Sequence, residues 1–349
     1  MQKKLIALAV AGLVSAPAFA QSNVQIYGVV DMGVTHRSDH AESGVGNKTS
    51  VDSGIGSGSR LGFKGTEDLG NGLKASFVLE MGMHVDQGQS RADGTFSRQS
   101  FLALSGNFGT VALGRQYAPQ FNLLAALDPF GTGTVGQANN IYTIDVRLNN
   151  TVAYVSPDFG GFNIVAAYSN DAVGAAGATV SATSDEALEN EGDARVVAIA
   201  PTYKNGPLMV GMNYHRIKFN TSGTDPVKVW DLGGSYDLGV VKLSAMYGTR
   251  KLDNVADLRQ WMVGAVVPVG QSGKVQVSYN RATNKEVAGD PTGNQWAVGY
   301  VHSLSKRTNV YAAYADISND DGAAFSVGDA SNGGDGYQKG FTVGLRHSF

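Results

Sequence analysis

Cysteine is absent from this chain of 349 residues, and proline is scarce at 9. No disulfide framework, thiolate zinc site or cysteine-held iron–sulfur cluster can be built from it. Charge is thin as well: Asp, Glu, Lys and Arg make up 16%, below the roughly 25% of an average soluble domain, which excludes a disordered acidic or basic tail protein. A formal net charge of −3 argues against a chain that coats nucleic acid phosphate, and no nucleic-acid partner is expected. After the first twenty residues no stretch approaches eighteen unbroken apolar residues, so no membrane-spanning helix is expected either. Glycine, by contrast, is abundant at 46 residues, about twice the usual share.

The N-terminus has the zones of a secretory signal in order. Met1-Gln2-Lys3-Lys4 is basic, Leu5 to Val14 is apolar but too short to span a bilayer, and Ala18-Phe19-Ala20 is a small-x-small cleavage site. Segment 1–20 is expected to be removed, leaving 21–349 as one domain exported to the periplasm or outer membrane of a Gram-negative cell.

Most of the remaining chain alternates with period two. Val24, Ile26, Val30, Met32 and Val34 fall on one face against Gln25, Asp31 and Thr35; Phe341, Val343, Leu345, His347 and Phe349 fall opposite Thr342, Gly344, Arg346 and Ser348. Side chains alternate across a strand, so each such segment has an apolar face and a wet face. Sixteen segments are expected, from 24–36, 58–68 and 73–85 through 97–107, 110–117 and 149–157 to 309–318 and 337–349. Tight turns rich in Gly, Asn and Asp, such as 68–72, 158–161 and 271–273, alternate with polar loops near 37–57, 86–96, 118–148, 171–192 and 319–336. Short connections at one end and long ones at the other are the layout of a transmembrane β-barrel. Tyr154, Trp230, Tyr236, Tyr247, Trp261, Trp296 and Tyr300 fall near expected strand ends, where amphipathic rings suit a headgroup region. A soluble sandwich would have to bury the opposite faces, which here carry Lys, Arg, Asp, Ser and Gly.

Three blocks carry a resemblance: Val24 to Asp31, Gly58-Ser59-Arg60-Leu61-Gly62-Phe63-Lys64-Gly65-Thr66-Glu67-Asp68, and Phe108 to Gln116. Together they resemble the general porins of Gram-negative bacteria, of β-proteobacterial and neisserial type, over the whole mature length. The resemblance implies an all-β, 16-stranded antiparallel transmembrane barrel in the outer membrane, a homotrimer, with a long third loop folded into the lumen to form the constriction. It also implies that the terminal Phe349 is read by the barrel-assembly machinery, and that the partners are outer-membrane lipid, lipopolysaccharide, and small hydrophilic solutes and ions.

A barrel of this strand number holds an aqueous channel, so its selectivity depends on what narrows it. Loop 118–148 contains the apolar run Phe121 to Leu127 and then Asp128-Pro129-Phe130-Gly131, which resembles the family's acidic turn at the loop tip. By alternation the lumen collects Arg60, Lys64, Lys74, Arg98, Lys242, Arg250, Lys274 and Arg346 against Asp31, Glu80 and Asp231. Such an excess of bases in a narrow wet passage selects anions. The resemblance implies a basic cluster opposite the loop, with Arg60, Arg98 and Arg115 at the matching positions, so the expected constriction is a basic wall of Arg60, Lys64, Lys74, Arg98 and Arg115 facing Glu80 and the Asp128, Pro129, Phe130, Gly131 turn. Arg115 shares the face of Val111 and Leu113 and needs a bulge to turn inward. The acids of 185–193 and 316–335 read as solvated loop faces, with divalent cations bridging lipopolysaccharide as the sharper alternative.

Enzymatic readings are weak. Gly131-Thr132-Gly133-Thr134-Val135-Gly136 has the G-x-G-x-x-G form but no βαβ surroundings, and His36 and His40 lie four apart on an expected strand rather than a helix. No catalytic residue, metal or cofactor is expected. The function expected is a general diffusion porin with a preference for anions. The alternatives are a channel specific for a sugar or carboxylate, and a structural or adhesive surface barrel.

Overall fold

The outward side chains of the strands are mostly apolar and the inward ones mostly small or polar, with larger apolar ones such as Met246 and Met262 where the inside is packed, and a sheet with that division is satisfied only when it closes on itself inside lipid. The computed structural model describes residues 24–91, 94–172, 194–220 and 223–349. It is a closed antiparallel barrel of sixteen strands. The first three strands are β1 (Gln25–His40), β2 in two pieces (Lys48–Ser53 and Arg60–Gly70) and β3 (Leu73–His84). The next five are β4 (Gln99–Gly106), β5 (Gly109–Tyr117), β6 (Arg147–Val155), β7 (Phe162–Ser169) and β8 (Ala194–Asn205). The last eight are β9 (Leu208–Phe219), β10 (Val227–Asp237), β11 (Lys242–Leu252), β12 (Ala256–Val269), β13 (Gly273–Asn284), β14 (Thr292–Ser303), β15 (Thr308–Asn319) and β16 (Tyr337–Ser348). Neighbours in sequence pair throughout, and β1 closes the ring on β16 with Asp31 opposite Arg346 and His36 opposite Phe341. The expected signal segment 1–20 and the acids Asp185, Glu186, Glu189 and Glu191 lie outside the described residues.

Each expected strand is present, and the largest departure is at β1 and β2. The polar segment expected to be loop 37–57 instead extends β1 to His40 and supplies Lys48–Ser53, which pairs with Met32 to Arg37. Between its two pieces β2 leaves the wall. Gly54 has φ +73°, Ile55 is fully buried, and the detour 54–59 is tied to β15 by the Gly56 amide on the Tyr311 hydroxyl at 3.2 Å. Repeated glycine permits both the left-handed turn and the close approach.

Outside, an aromatic staircase climbs across eight successive strands: Tyr214, Trp230, Tyr247, Trp261, Tyr279, Trp296, Tyr314 and Phe341. Directly opposed pairs (Tyr214 with Trp230, Tyr247 with Trp261, Tyr279 with Trp296, Tyr314 with Phe341) alternate with diagonal contacts at 5.2 to 5.4 Å between centroids. Cross-strand ring pairs of this kind stabilise the sheet and mark an interface belt. At the same height β1 and β2 present His36 and Thr49, hydrogen-bonded to each other at 2.8 Å.

Candidate functional site

The long connection 118–146 folds into the barrel and divides it. After β5 the chain enters a helix, α1 (Pro119–Leu127), with proline in its first turn, where a missing amide costs nothing. Leu123, Leu124 and Leu127 bury against Met246 and Met262 of the wall. The loop then crosses β12 to β16, turns at the detour in β2, where the Thr134 amide donates to the Ile55 carbonyl at 2.7 Å, and returns to β6.

Two features hold it there. The first is a series of lumen-facing glycines. A β-carbon added at Gly211 would lie 2.6 Å from a Leu123 methyl, at Gly233 2.5 Å from Leu127, and at Gly299 2.8 Å from the Phe130 ring. At Gly264 it would overlap the Pro129 ring, and at Gly340 it would press on Val327 and Val135. Half of the inner wall is thus shaved flat so that the loop can lie against it. The second is a buried polar clamp. Asp231 accepts from the Tyr142 hydroxyl at 2.7 Å, the Asn213 amide at 2.9 Å and the Gln120 amide at 3.1 Å, so one carboxylate grips both ends of the loop. Asp145 meets His215 at 2.9 Å and Arg250 at 2.9 Å. Burial alone would raise the Asp145 carboxyl, but the His215 hydrogen bond and the Arg250 charge hold it well below the usual range.

With the loop on β9 to β16, the open passage is left between it and β1 to β5. That space measures about 380 Å³ and is bordered by Arg60, Arg91, Arg98 and Arg147, with Ser57 and Gly58 of the β2 detour. No carboxylate borders it among the described residues. Glu80 lies behind the arginines, 4% exposed, with Arg98 Nε at 2.7 Å and Arg60 Nε at 3.6 Å. The Tyr27 hydroxyl donates to it at 3.0 Å. One buried acid thus orients two bases without reaching the passage itself. Arg98 also donates to the Tyr117 hydroxyl at 2.6 Å, and Arg91 donates to the Ser331 carbonyl at 3.2 Å.

Several expected site residues are placed differently. Asp128 is 6% exposed and turned into its own loop, its carboxylate accepting the Phe130 amide at 3.0 Å, the Thr132 amide at 2.8 Å and the Ala138 amide at 3.1 Å. Burial pushes this carboxyl up to about 6 against the pull of those three donors. The acid folds the turn rather than charging the passage. Pro129 and Phe130 face the wall, and Gly131 alone of that tetrapeptide borders the passage. The bulge expected near Arg115 exists, between Gly114 and Gln116. It leaves Arg115 donating to the Ser97 carbonyl at 2.5 Å and to the Asn149 side chain, and Arg115 is not among the residues that border the passage. Lys64 follows Arg60 along β2 toward the short-turn end, and Lys74 of β3 pairs with Asp68, further along β2 in the same direction. At about 3.4 Å per residue, Lys64 is about 14 Å below Arg60, and Lys74, level with Asp68, about 27 Å below. Arg250 is consumed by the clamp. Arg91 and Arg147 were not expected from the sequence: Arg91 sits in a loop, and Arg147 sits two residues before the expected start of β6. Phe349 follows the last residue of β16, its amide on the Gly28 carbonyl at 3.1 Å.

A closed sixteen-strand barrel with an apolar exterior, an aromatic belt and a charged internal strait is an outer-membrane channel. The chain belongs to the Gram-negative porin family, whose model matches residues 7–322. It is 35% identical over the full length of both chains to outer membrane porin protein 32 of Delftia acidovorans, and 30% identical, again over both full lengths, to an outer membrane porin protein of Bordetella pertussis. Among solved structures it is similar to an anion-selective porin from Comamonas acidovorans, with TM-score 0.78 and 33% identity over 94% of this chain and 100% of that one. The protein is an outer-membrane porin that passes small solutes.

Proposed function

We propose that this porin passes small anions in preference to cations and that Arg60, Arg91, Arg98 and Arg147 form its filter. The observation that carries this reading is the set of four guanidinium groups around one strait that no carboxylate borders among the described residues. Guanidinium keeps its charge at any working pH, so the preference holds across the neutral range. Below the strait, Lys242 and Arg346 each lie close enough to Lys274 to repel it, and with Lys64 they extend the positive field toward the short-turn mouth. The similarity to a porin described as anion-selective points the same way. In a planar bilayer under a potassium chloride gradient, the zero-current potential is expected to carry the sign of chloride flow; the sign of potassium flow would refute the reading.

The outer surface also supports assembly as a trimer. The aromatic staircase covers β9 to β16, whereas β1 to β5 present Val34, Val51, Leu102 and Leu113, an aliphatic face suited to a second copy rather than to lipid headgroups. The native-detergent mass is expected to be three chains, falling to one when Leu102 and Leu113 are both replaced by arginine. A wild-type monomer would refute this.

A further inference from the structure

The strait is not uniformly polar. Beside its guanidinium groups the lining includes Phe121 and Ala125 of α1, Val146 and the ring of Tyr117. Tyr117 and Phe121 stack with centroids 4.7 Å apart and planes 15° from parallel. Arg147 lies over the same tyrosine ring, 4.8 Å from its centroid, while the tyrosine hydroxyl takes the hydrogen bond from Arg98. Positive charge and flat apolar surface therefore meet at one residue. A strait that had only to sort ions by sign would gain nothing from a half-buried phenylalanine, since apolar surface held open to water is unfavourable until something covers it.

We propose that the strait holds a binding subsite for carboxylates with a flat apolar body, the carboxylate on the guanidinium groups of Arg98 and Arg147 and the body against Phe121 and Val146. A planar guanidinium matches a carboxylate through two parallel hydrogen bonds, and an aromatic body adds dispersion and removal of apolar surface from water. The 380 Å³ of space admits one such anion at a time. The subsite rests on the anion-preferring reading above and adds to it a preference among anions.

The test is block of chloride current through the reconstituted protein by benzoate, with acetate as the carboxylate that lacks the flat body. Half-block is expected at a concentration about fivefold or more lower for benzoate than for acetate. Phe121→Ala is expected to abolish that difference while acetate still blocks and the zero-current potential keeps the sign of chloride flow, and Phe121→Leu, which keeps apolar area, to retain most of it. Equal block by benzoate and acetate in the wild type, with chloride preference intact, would overturn the subsite alone. Survival of the difference in Phe121→Ala would remove Phe121 from the subsite and overturn the proposal; its loss in Phe121→Leu as well would overturn the role of Phe121 as apolar contact area, leaving the ring as a support for Tyr117. A wild-type channel that prefers potassium would instead overturn the parent reading.

Discussion

Replacing Arg60 and Arg98 together by glutamine is expected to lower the ratio of chloride to potassium permeability roughly tenfold, with the channel still conducting. The strait is bordered by four arginines, and Glu80 behind them subtracts one charge. The double variant therefore takes the local charge from about +3 to about +1. A unit charge at about 7 Å in water is worth ~0.6 kcal/mol, and about half that at a Debye length of ~10 Å. Each charge acts on anion and cation with opposite sign, so removing two changes the ratio by about sevenfold when screened and more in dilute salt. The dependence on ionic strength is itself a signature of the mechanism. Lys74→Gln serves as the control. At about 27 Å from Arg60 it lies well beyond the screening length and is expected to move the zero-current potential little. An unchanged potential in the Arg60, Arg98 double variant would mean that selectivity is set elsewhere, and an equal shift from Lys74→Gln would point to the whole lumen rather than the strait.

The barrel was legible in the sequence because lipid outside and water inside impose period-two alternation more strictly than an ordinary sheet requires. Where that pressure stops, legibility stops with it. Lys48-Thr49-Ser50-Val51-Asp52-Ser53 shows one apolar residue, Val51, too few to register as alternation, so it read as loop although it pairs with β1. The strait was read by residue type rather than by partner. Asp128 looked like a pore acid because it is an acid in the third loop, yet three backbone amides claim its carboxylate. Arg250 looked like a pore base, yet Asp145 holds it. Arg147 was within reach, since alternation carried back from Ala153 and Thr151 through Asn149 puts 147 on the same face; Arg91, on a loop, had no such signal. The glycines were visible as a composition excess, and their position at inward-facing steps of β9, β10, β12, β14 and β16 was the missing clue to where the loop lies.

Those glycines set the width of the strait, and filling them is expected to narrow it. Gly264→Val and Gly299→Val place side chains where Pro129 and Phe130 now lie against the wall. The barrel strands are tied on both sides by complete antiparallel ladders, so the wall cannot recede by the ~2–3 Å that a branched side chain needs without breaking hydrogen bonds over several residues. The loop is the softer partner. It is held by the Asp231 clamp at its ends and by Gln295 on Gly136, Gln137 and Asn140, while the stretch around Pro129 to Thr134 is held by packing and by the Thr134 and Gln276 hydrogen bonds. That stretch therefore moves, and the free volume that its Gly131 and Thr132 border is the strait on the side of Arg60 and Arg98. Conductance through so short a constriction follows its cross-section, so the two-site variant is expected to conduct about half or less of the wild-type current, with a barrel that still folds and migrates as the wild type does. Anion preference is expected to rise rather than fall, because the same four guanidinium groups then act across a narrower, less screened gap. Unchanged conductance in a folded variant would show that the wall yields, or that the loop does not limit the current. A fall in conductance accompanied by loss of anion preference would show that the loop had been expelled toward the outer mouth instead of pressed onto the arginines.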